Sequence, residues 1–263
     1  MVCERNWYAI REVSDLTGVK PVTLRAWQRR YNLIQPERTE KGHRLYTDEH
    51  IALINEIQGW LAKGISIGKV KALIGSDLPD EALDVGSLEA VEEVLEALTN
   101  LNTKRAESVI NGVLKEYPLE LVGRQFITPT LNALALVKQS LRSLHLGLFN
   151  TLMVTKLNQI IEAENKVAHR GKCLAINLDA ARDIHTQLWA LSLVSQGYRV
   201  LMIDGVEDLS GLLEHTAVHR YEQLAFYSAT KPSESQLSVI KELEAQHGQV
   251  SLSEMIELVR RAF

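Results

Sequence analysis

Cysteine is scarce in this sequence of 263 residues, which contains only Cys3 and Cys173. The two residues lie far apart and form neither a CxxC pair nor any other spacing typical of metal ligands. A disulfide framework and a cysteine-based zinc site are therefore excluded as the basis of the fold. Such a cysteine content is typical of a protein that works in a reducing cytoplasm.

Long apolar runs are also missing. No stretch approaches the ~20 apolar residues that span a bilayer, and the first residues, MVCERNWY, lack the apolar core of a signal peptide. We therefore expect a soluble, cytoplasmic protein with no membrane partner. Apolar residues still make up 46% of the chain, which is enough for real hydrophobic cores. The length suggests two or three domains.

Positive charge is concentrated at one end of the chain. Residues 1–75 hold 12 Lys and Arg against 8 Asp and Glu, whereas the remainder holds 17 against 25. The whole chain has a net charge of −4. A basic head on an acidic body predicts that the head alone meets a polyanion.

The head has the pattern of a helix-turn-helix motif. Ile10, Val13 and Leu16 recur at helical spacing, and Gly18 suits the left-handed residue that ends a helix. Pro21 can open a second helix, because its missing N–H costs nothing at that position. Two short helices joined by a tight turn with glycine predict a motif whose second helix enters a major groove.

A small hairpin follows in residues 37–47, ERTEKGHRLYT, with Gly42 in its turn. Thr47 can cap the next helix. A shorter helix over residues 66–74 completes the pattern. Residues 1–77 are therefore predicted to form a winged helix-turn-helix domain.

Basic and polar side chains of the second helix and the wing are the candidate DNA contacts. Guanidinium groups grip phosphates by paired hydrogen bonds, and polar groups fix the register on the duplex. The predicted DNA-binding residues are Lys20, Thr23, Arg25, Arg29, Arg38, Lys41, His43, Arg44 and Tyr46. A charge cluster by itself also fits a solvated cationic face. Turn glycine, helix-opening proline, basic helix and basic wing together favour DNA.

Residues 10–47, IREVSDLTGVKPVTLRAWQRRYNLIQPERTEKGHRLYT, resemble the DNA-binding domain of MerR-type transcription regulators. The matching elements are TLR in the second helix, P-x-R before the wing and GHRLY within it. LRAWQRRY is similar to the branch that includes MlrA and CarH/LitR proteins. The resemblance implies DNA contacts from Thr23 and Arg25 on the helix and from Arg44 and Tyr46 on the wing.

Trp27 is a packing residue in this interpretation, because its neighbours Leu24 and Tyr31 suit a core. The resemblance also implies a homodimer on a pseudo-palindromic promoter site, since a two-fold protein needs a two-fold site. RNA polymerase is the implied partner. Regulators of this kind distort an over-long promoter spacer so that polymerase can engage. We favour activation by a small margin, although light-responsive relatives repress.

Residues 78–165 are Leu-rich and acidic, and their apolar stripes predict an antiparallel helical bundle. The last stripe is predicted to be one helix that begins at Pro129 and continues beyond Phe149. Its apolar positions are Leu134, Val137, Leu141, Leu144 and Leu148.

Residues 166–263 alternate apolar runs with helical patterns. The runs KCLAINL, YRVLMID and QLAFYSA predict three strands, GQVSL a short fourth one, and SEMIELVRRAF a closing helix. Strand and helix alternating at this spacing predict a Rossmann-like parallel sheet. The expected fold class is therefore multidomain α and α/β.

In the CarH/LitR branch a bundle and such a sheet bind cobalamin. A histidine in a D/E-x-H-x-x-G loop ligates cobalt there, and a glycine lies fifteen positions beyond it. Counting back from Gly197 places Arg182 at the ligand position and His185 at the loop glycine. A guanidinium cannot ligate cobalt, and a side chain at the glycine position would crowd the nucleotide tail of the corrin.

The family's Ser-x-Leu after the third strand is only partly kept, as Ser228-Ala229-Thr230. We expect the cobalamin fold without cobalamin, and thus no cofactor. Ligation through the misregistered His185 stays open as the less favoured alternative.

Other groups of polar residues give weaker evidence for a metal-binding or catalytic site. His215 and His219 are spaced like a helical zinc pair, but the glutamate of H-E-x-x-H and a third ligand are missing. Asp179, Asp183 and His185 lack a nucleophile or phosphate loop beside them, so we assign them to helix capping. No catalytic or metal-binding residue is predicted.

Three functions fit the sequence to different degrees. The first is a DNA-binding transcription regulator whose C-terminal part is a sensor or assembly module without cobalamin. The second is a cobalamin-dependent, light-sensing repressor, which would purify with a red chromophore. The third, a cobalamin-dependent enzyme such as a mutase or methyltransferase, needs a substrate-binding barrel for which 263 residues leave no room.

Overall fold

The computed structural model describes residues 6–76 and 88–261. The chain forms two compact units, Met1–Leu148 and Phe149–Phe263. The expected fold class is confirmed: helix-turn-helix, further helices and a parallel α/β sheet follow one another along the chain. The predicted division into 1–77, 78–165 and 166–263 stays a prediction, and its first boundary lies outside the described residues.

The first unit begins with short helices around a small sheet. Its three antiparallel strands, β1 (Tyr8–Ala9), β2 (Glu37–Arg38) and β3 (Arg44–Tyr46), lie in the order β1-β3-β2. This is the predicted winged helix-turn-helix, with β2 and β3 as the wing. The elements are β1 (Tyr8–Ala9), α1 (Ile10–Thr17), α2 (Pro21–Ala26), β2 (Glu37–Arg38), β3 (Arg44–Tyr46), α3 (Asp48–Ala62) and α4 (Ile67–Val70).

Three local sequence signals set these elements. Gly18 ends α1 in the left-handed region at φ 71°, and its N–H donates to the carbonyl of Ser14. Pro21 occupies the first turn of α2. Gly42 turns the wing at φ 81°, where a residue with a Cβ is disfavoured. All three predictions are confirmed.

The helix α2 continues into a π-helical turn, Trp27–Tyr31. Asn32 closes this turn at φ 52°, and its N–H donates to the carbonyl of Trp27 five residues earlier. Leu24 and Trp27 are completely buried, which confirms Trp27 as a packing residue. The wider turn changes the direction of every side chain beyond Trp27 relative to a regular α-helix.

Four further helices complete the compact part of this unit: α5 (Glu89–Thr99), α6 (Thr103–Glu116), α7 (Leu119–Val122) and α8 (Thr128–Ala135), with a π-helical turn at Gly123–Ile127. The predicted stripes are confirmed with small shifts. On α5, Val94 is completely buried while Leu95 is only half-buried. On α6, Ile110 and Val113 face the core as expected.

These helices share their core with the winged helix-turn-helix. The buried side-chain amide of Gln125 donates to the backbone carbonyl of Leu61 at 2.8 Å. The backbone carbonyl of Gln125 accepts from the N–H of Leu88 at 3.0 Å. The hydroxyl of Tyr117 accepts from the N–H of Ile67 at 3.3 Å. The Gln125–Leu61 and Tyr117–Ile67 hydrogen bonds join the later helices to the winged helix-turn-helix through buried polar groups, so the two segments pack as one body.

The long helix α9 (Gln139–Asn165) is separate from α8, so the prediction of one helix from Pro129 is wrong. The break at residues 136–138 changes the phase of the apolar stripe. Consequently Leu141 and Leu144 are about half exposed, at 48% and 50%, although the stripe placed them in a core. Phe149 is completely buried, as expected.

The second unit is a four-stranded parallel sheet in the order β5-β4-β6-β7. The short fourth strand is confirmed. Helix α10 (Ile184–Ser195) begins after Asp183, whose carboxylate caps it and accepts from the N–H of Thr186 at 2.8 Å. The elements are β4 (Gly171–Asn177), α10 (Ile184–Ser195), β5 (Tyr198–Asp204), α11 (Ser210–Glu214), β6 (Gln223–Tyr227), α12 (Glu234–His247), β7 (Val250–Leu252) and α13 (Glu254–Arg261).

The core of the second unit lies between the central strands and the later helices. Ile176 on β4 and Phe226 on β6 pack with Ile240 and Leu243 of α12 and Ile256 of α13. Central parallel strands are buried on both faces, which is why their sequences are continuous apolar runs.

Two glycine substitutions test the backbone argument in the first unit. Gly18→Ala should lower the free energy of unfolding by about 1 kcal/mol, because alanine must adopt the left-handed φ of 71° although space for its Cβ is free. Gly112→Ala, inside α6 with equally free space, should raise it by about 0.5–1 kcal/mol. Urea unfolding followed by circular dichroism measures both; equal signs for the two variants would contradict the assignment of the Gly18 turn.

Candidate nucleic-acid interface

Four arginines from the second helix and the wing form a cationic cluster: Arg25, Arg29, Arg38 and Arg44. Arg25 and Arg29 are exposed on α2 and its π-helical turn, and Arg38 is exposed on β2. The antiparallel register places Arg38 opposite Arg44. Among residues 6–76 and 88–261, no carboxylate forms an ion pair with any member of the cluster.

The positive charges within the cluster repel one another. Burial, followed by the positive charge of Arg38, lowers the pKa of Arg44, and Arg25 and Arg29 lower it further. The guanidinium of Arg44 is oriented by its Nε, which donates to Oε1 of Gln28 at 2.7 Å. Like charges that repel one another without counter-charge favour the binding of a polyanion.

The tip of the wing adds exposed polar groups beyond the cluster. Lys41 and His43 are both exposed beside the turn glycine. Thr39 stiffens this tip, because its N–H donates to the carbonyl of His43 at 2.9 Å and its Oγ1 accepts from the N–H of His43 at 3.0 Å. The wing therefore presents a cation on an ordered hairpin.

The remaining predicted contacts are less accessible. The side chains of Thr23 and Tyr46 are only 2% and 1% exposed, and Lys20 is half-buried at the residue that precedes α2. Such burial counts against a direct DNA contact from Thr23 and Tyr46. Nothing in the sequence signalled it, because a threonine on a helix and a tyrosine in a wing suit either role.

The other side of the recognition helix binds a residue that the sequence did not single out. The indole Nε1 of Trp27 donates to the carbonyl oxygen of Glu116 at 2.7 Å. The hydroxyl of Tyr31 donates to Glu116 Oε2 at 2.6 Å, and the guanidinium of Arg30 pairs with Oε1 of the same carboxylate. Arg29 and Arg30, although adjacent, therefore have different roles.

In the second unit, the crevice where parallel sheets bind ligands lies at the carboxyl ends of the strands where the strand order reverses. Here that point falls between β4 and β6. Asp179, which follows β4, bridges it. Its Oδ1 accepts from the hydroxyl of Ser228 at 3.0 Å and from that of Thr230 at 3.3 Å, and its Oδ2 accepts from the N–H of Ala229 at 2.8 Å. The two loops that would flank a ligand are thus bonded to each other.

Arg182 lies beside this bridge, at the position that sequence spacing assigns to a cobalt ligand. Its Nε donates to Oδ2 of Asp204 at 2.9 Å, and its Nη1 donates to Oδ1 of Asn158 at 3.3 Å. Asn177 donates to the other oxygen of Asp204 at 3.2 Å. His185 is exposed near the start of α10.

The histidine pair does not share one α-helix. Nδ1 of His215 accepts from the N–H of Ala217 at 3.2 Å and caps a 3₁₀ turn, Thr216–Arg220, that contains His219. The described residues contain no group of three or more His, Cys, Asp and Glu that suits a metal ion. Within the same part of the chain, no helix combines the length and apolar character needed to cross a membrane.

Comparison with known proteins agrees with this geometry. The family described as MerR HTH family regulatory protein matches residues 8–76. The HTH-type transcriptional regulator MlrA of Salmonella typhimurium is 32% identical over 197 residues, which cover 73% of this chain and 78% of that protein. MlrA of Escherichia coli is 30% identical over 193 residues with the same coverage.

A second group of relatives matches over shorter stretches. The HTH-type transcriptional repressor CarH of Myxococcus xanthus is 34% identical over 67 residues, which cover 26% of this chain and 22% of that protein. This match is confined to about the length of a winged helix-turn-helix, whereas the MlrA matches extend well beyond it. The chain therefore belongs to the MerR family of helix-turn-helix transcription regulators and is MlrA-like within it.

Proposed function

We propose that this MerR-family regulator binds a promoter sequence-specifically and in the cytoplasm, where the chromosome lies. The observation that carries the proposal is the cationic cluster, in which two arginines of the recognition helix and two of the wing converge with no carboxylate partner among the residues that the structure describes. In this arrangement Arg25 and Arg29 enter the major groove. Arg38, Lys41, His43 and Arg44 hold the phosphates on either side.

Buried members of the predicted set act indirectly in this proposal. Thr23 and Tyr46 pack under the interface and fix the spacing between helix and wing, because both lie in the core. Lys20 immediately precedes α2, so its positive charge adds to the attraction of this surface for phosphate. Direct contact is thereby assigned to the exposed side chains.

Family membership supports a homodimer on a pseudo-palindromic site, with RNA polymerase as partner. Two copies related by a two-fold axis place their recognition helices one helical turn of DNA apart or a multiple of it. We propose that the dimer bends or untwists the promoter spacer and thereby activates transcription. MlrA is described as a regulator and CarH as a repressor, so the names of the relatives support regulation and leave its sign to experiment.

For the second unit we propose a sensor or assembly module that works without cobalamin. The residues do not fit that cofactor. Arg182 stands at the ligand position and is bound to Asp204, and a guanidinium offers cobalt no lone pair. Asp179 joins the two loops across the crevice, so the nucleotide tail would have to break three hydrogen bonds to enter.

The light-sensing repressor is the second candidate, since CarH and CarA of Myxococcus xanthus are both described as repressors and CarA is 28% identical over 150 residues. Incubation of the purified chain with adenosylcobalamin in the dark, followed by gel filtration, separates the two candidates. We expect no cobalamin absorbance to elute with the protein, and none after Arg182→His alone, because the Asp179 bridge persists. Stoichiometric, light-releasable cobalamin on the wild-type chain would contradict our proposal.

DNA binding itself is tested by incubating the full chain with chromosomal fragments and sequencing those retained. We expect enrichment of fragments that share an interrupted palindrome. Arg25→Ala should bind the most enriched fragment about ten-fold more weakly, equivalent to the ~1–3 kcal/mol of a base contact. Arg124→Ala, which removes an exposed arginine paired with Glu120, is the control and should bind normally. Failure to enrich any fragment would refute the function.

Salt dependence tests the wing. Arg44→Ala removes a phosphate contact, so it should weaken binding to all duplexes and reduce the slope of log K against log salt by about 1. Arg124→Ala again matches the change in net charge. A slope unchanged from wild type would place Arg44 outside the interface.

A further inference from the structure

Three side chains of one turn of the recognition helix converge on Glu116, the last residue of α6. Trp27 donates to its backbone carbonyl at 2.7 Å, Tyr31 donates to its carboxylate at 2.6 Å, and Arg30 forms an ion pair with it. The carboxylate side chain is 15% exposed. Hydrogen bonds to a charged acceptor are roughly twice as strong as neutral ones, so this is a firm attachment.

These contacts are made by Trp27, Arg30 and Tyr31, whereas Arg25 and Arg29 of the same helical segment belong to the cationic cluster. Arg29 contributes to the electrostatics of Arg44 in the wing, whereas its neighbour Arg30 is bound to Glu116. Because the two arginines are neighbours in one helical turn, anchoring that turn at Glu116 fixes the direction in which the Cα–Cβ bond of Arg29 leaves the helix. Sites that read a ligand require side chains to be held within about 0.5 Å and 10–20°.

The hydroxyl of Tyr31 keeps its proton at neutral pH, and hence its hydrogen bond to Glu116. Burial, followed by the hydrogen bond to Glu116, raises the pKa of Tyr31 above its usual value. Its hydroxyl therefore remains a donor at neutral pH. A second ion pair between the winged helix-turn-helix and the later helices joins Lys69 of α4 to Glu89 of α5, but these side chains are 71% and 78% exposed and the pair contributes little.

We propose that Glu116 is a positioning residue for DNA recognition, through which α6 sets the orientation of the recognition helix and hence the discrimination between promoter sequences. The inference rests on the proposed function, because it concerns the same DNA-binding surface. Through Glu116, helices α5–α8 take part in the recognition of the DNA sequence. A change that moves the end of α6 would alter sequence preference without touching DNA.

The test compares Glu116→Gln with Glu120→Gln. Each variant removes one carboxylate from an Arg–Glu pair, so both gain the same charge and free one arginine, Arg30 or Arg124. Affinities are measured in the full chain for the chromosomal fragment retained by wild type and for a scrambled duplex of equal length. Glu116→Gln should bind the fragment about ten-fold more weakly than Glu120→Gln does, while the two bind the scrambled duplex equally.

A purely structural role would lower stability but leave the ratio of specific to non-specific affinity unchanged. Tyr31→Phe, which removes only a hydroxyl, supplies a milder variant if Glu116→Gln fails to fold by circular dichroism. It should reduce the same ratio, and the two losses should not add in the double variant. Equal ratios for Tyr31→Phe, Glu116→Gln and Glu120→Gln would overturn the inference and leave the DNA-binding function intact. A wild-type chain that retains no fragment would refute both.

Discussion

Mutual repulsion among four guanidinium groups is the constraint on which the first unit depends. Arg25, Arg29, Arg38 and Arg44 are brought together without a neutralising carboxylate in the described part of the chain, so their proximity depends on the scaffold that holds the helix and the wing. The buried Trp27 and the shared core with α5–α8 supply that scaffold. In the proposed function, DNA phosphates would neutralise these charges, so the mutual repulsion in the free protein would favour the bound state.

Local signals in the sequence were enough for the winged helix-turn-helix, because Gly18, Pro21 and Gly42 each restrict the backbone at their own position. Long-range packing was not predictable in the same way. Glu116 has no motif, and its partners lie more than eighty residues earlier. The stripe containing Leu144 was misjudged because a break of three residues shifts the helical phase without any proline or glycine to mark it.

The sheet of the second unit and its crevice are specified by different parts of the sequence. The apolar runs of β4 and β6 are sufficient to specify parallel strands, and they were read correctly. The chemistry of the crevice depends on loop residues such as Asp179 and Arg182, whose partners come from other loops. Spacing identified Arg182 as the departure from the family pattern, but the bridge from Asp179 emerged only in three dimensions.

The π-helical turn at Trp27–Tyr31 has an evolutionary consequence. A turn of this kind contains one residue more than an α-helical turn, so loss of a single residue there would convert it into regular helix. The residues of the turn that follow the deleted one would then rotate by about 100° about the helix axis. Loss of Gln28, for example, would move Arg29 and Arg30 back by one position each, so that Arg30 would take the place from which Arg29 now acts on Arg44. A single-codon deletion at this turn is thus a short route by which a relative could acquire a different operator.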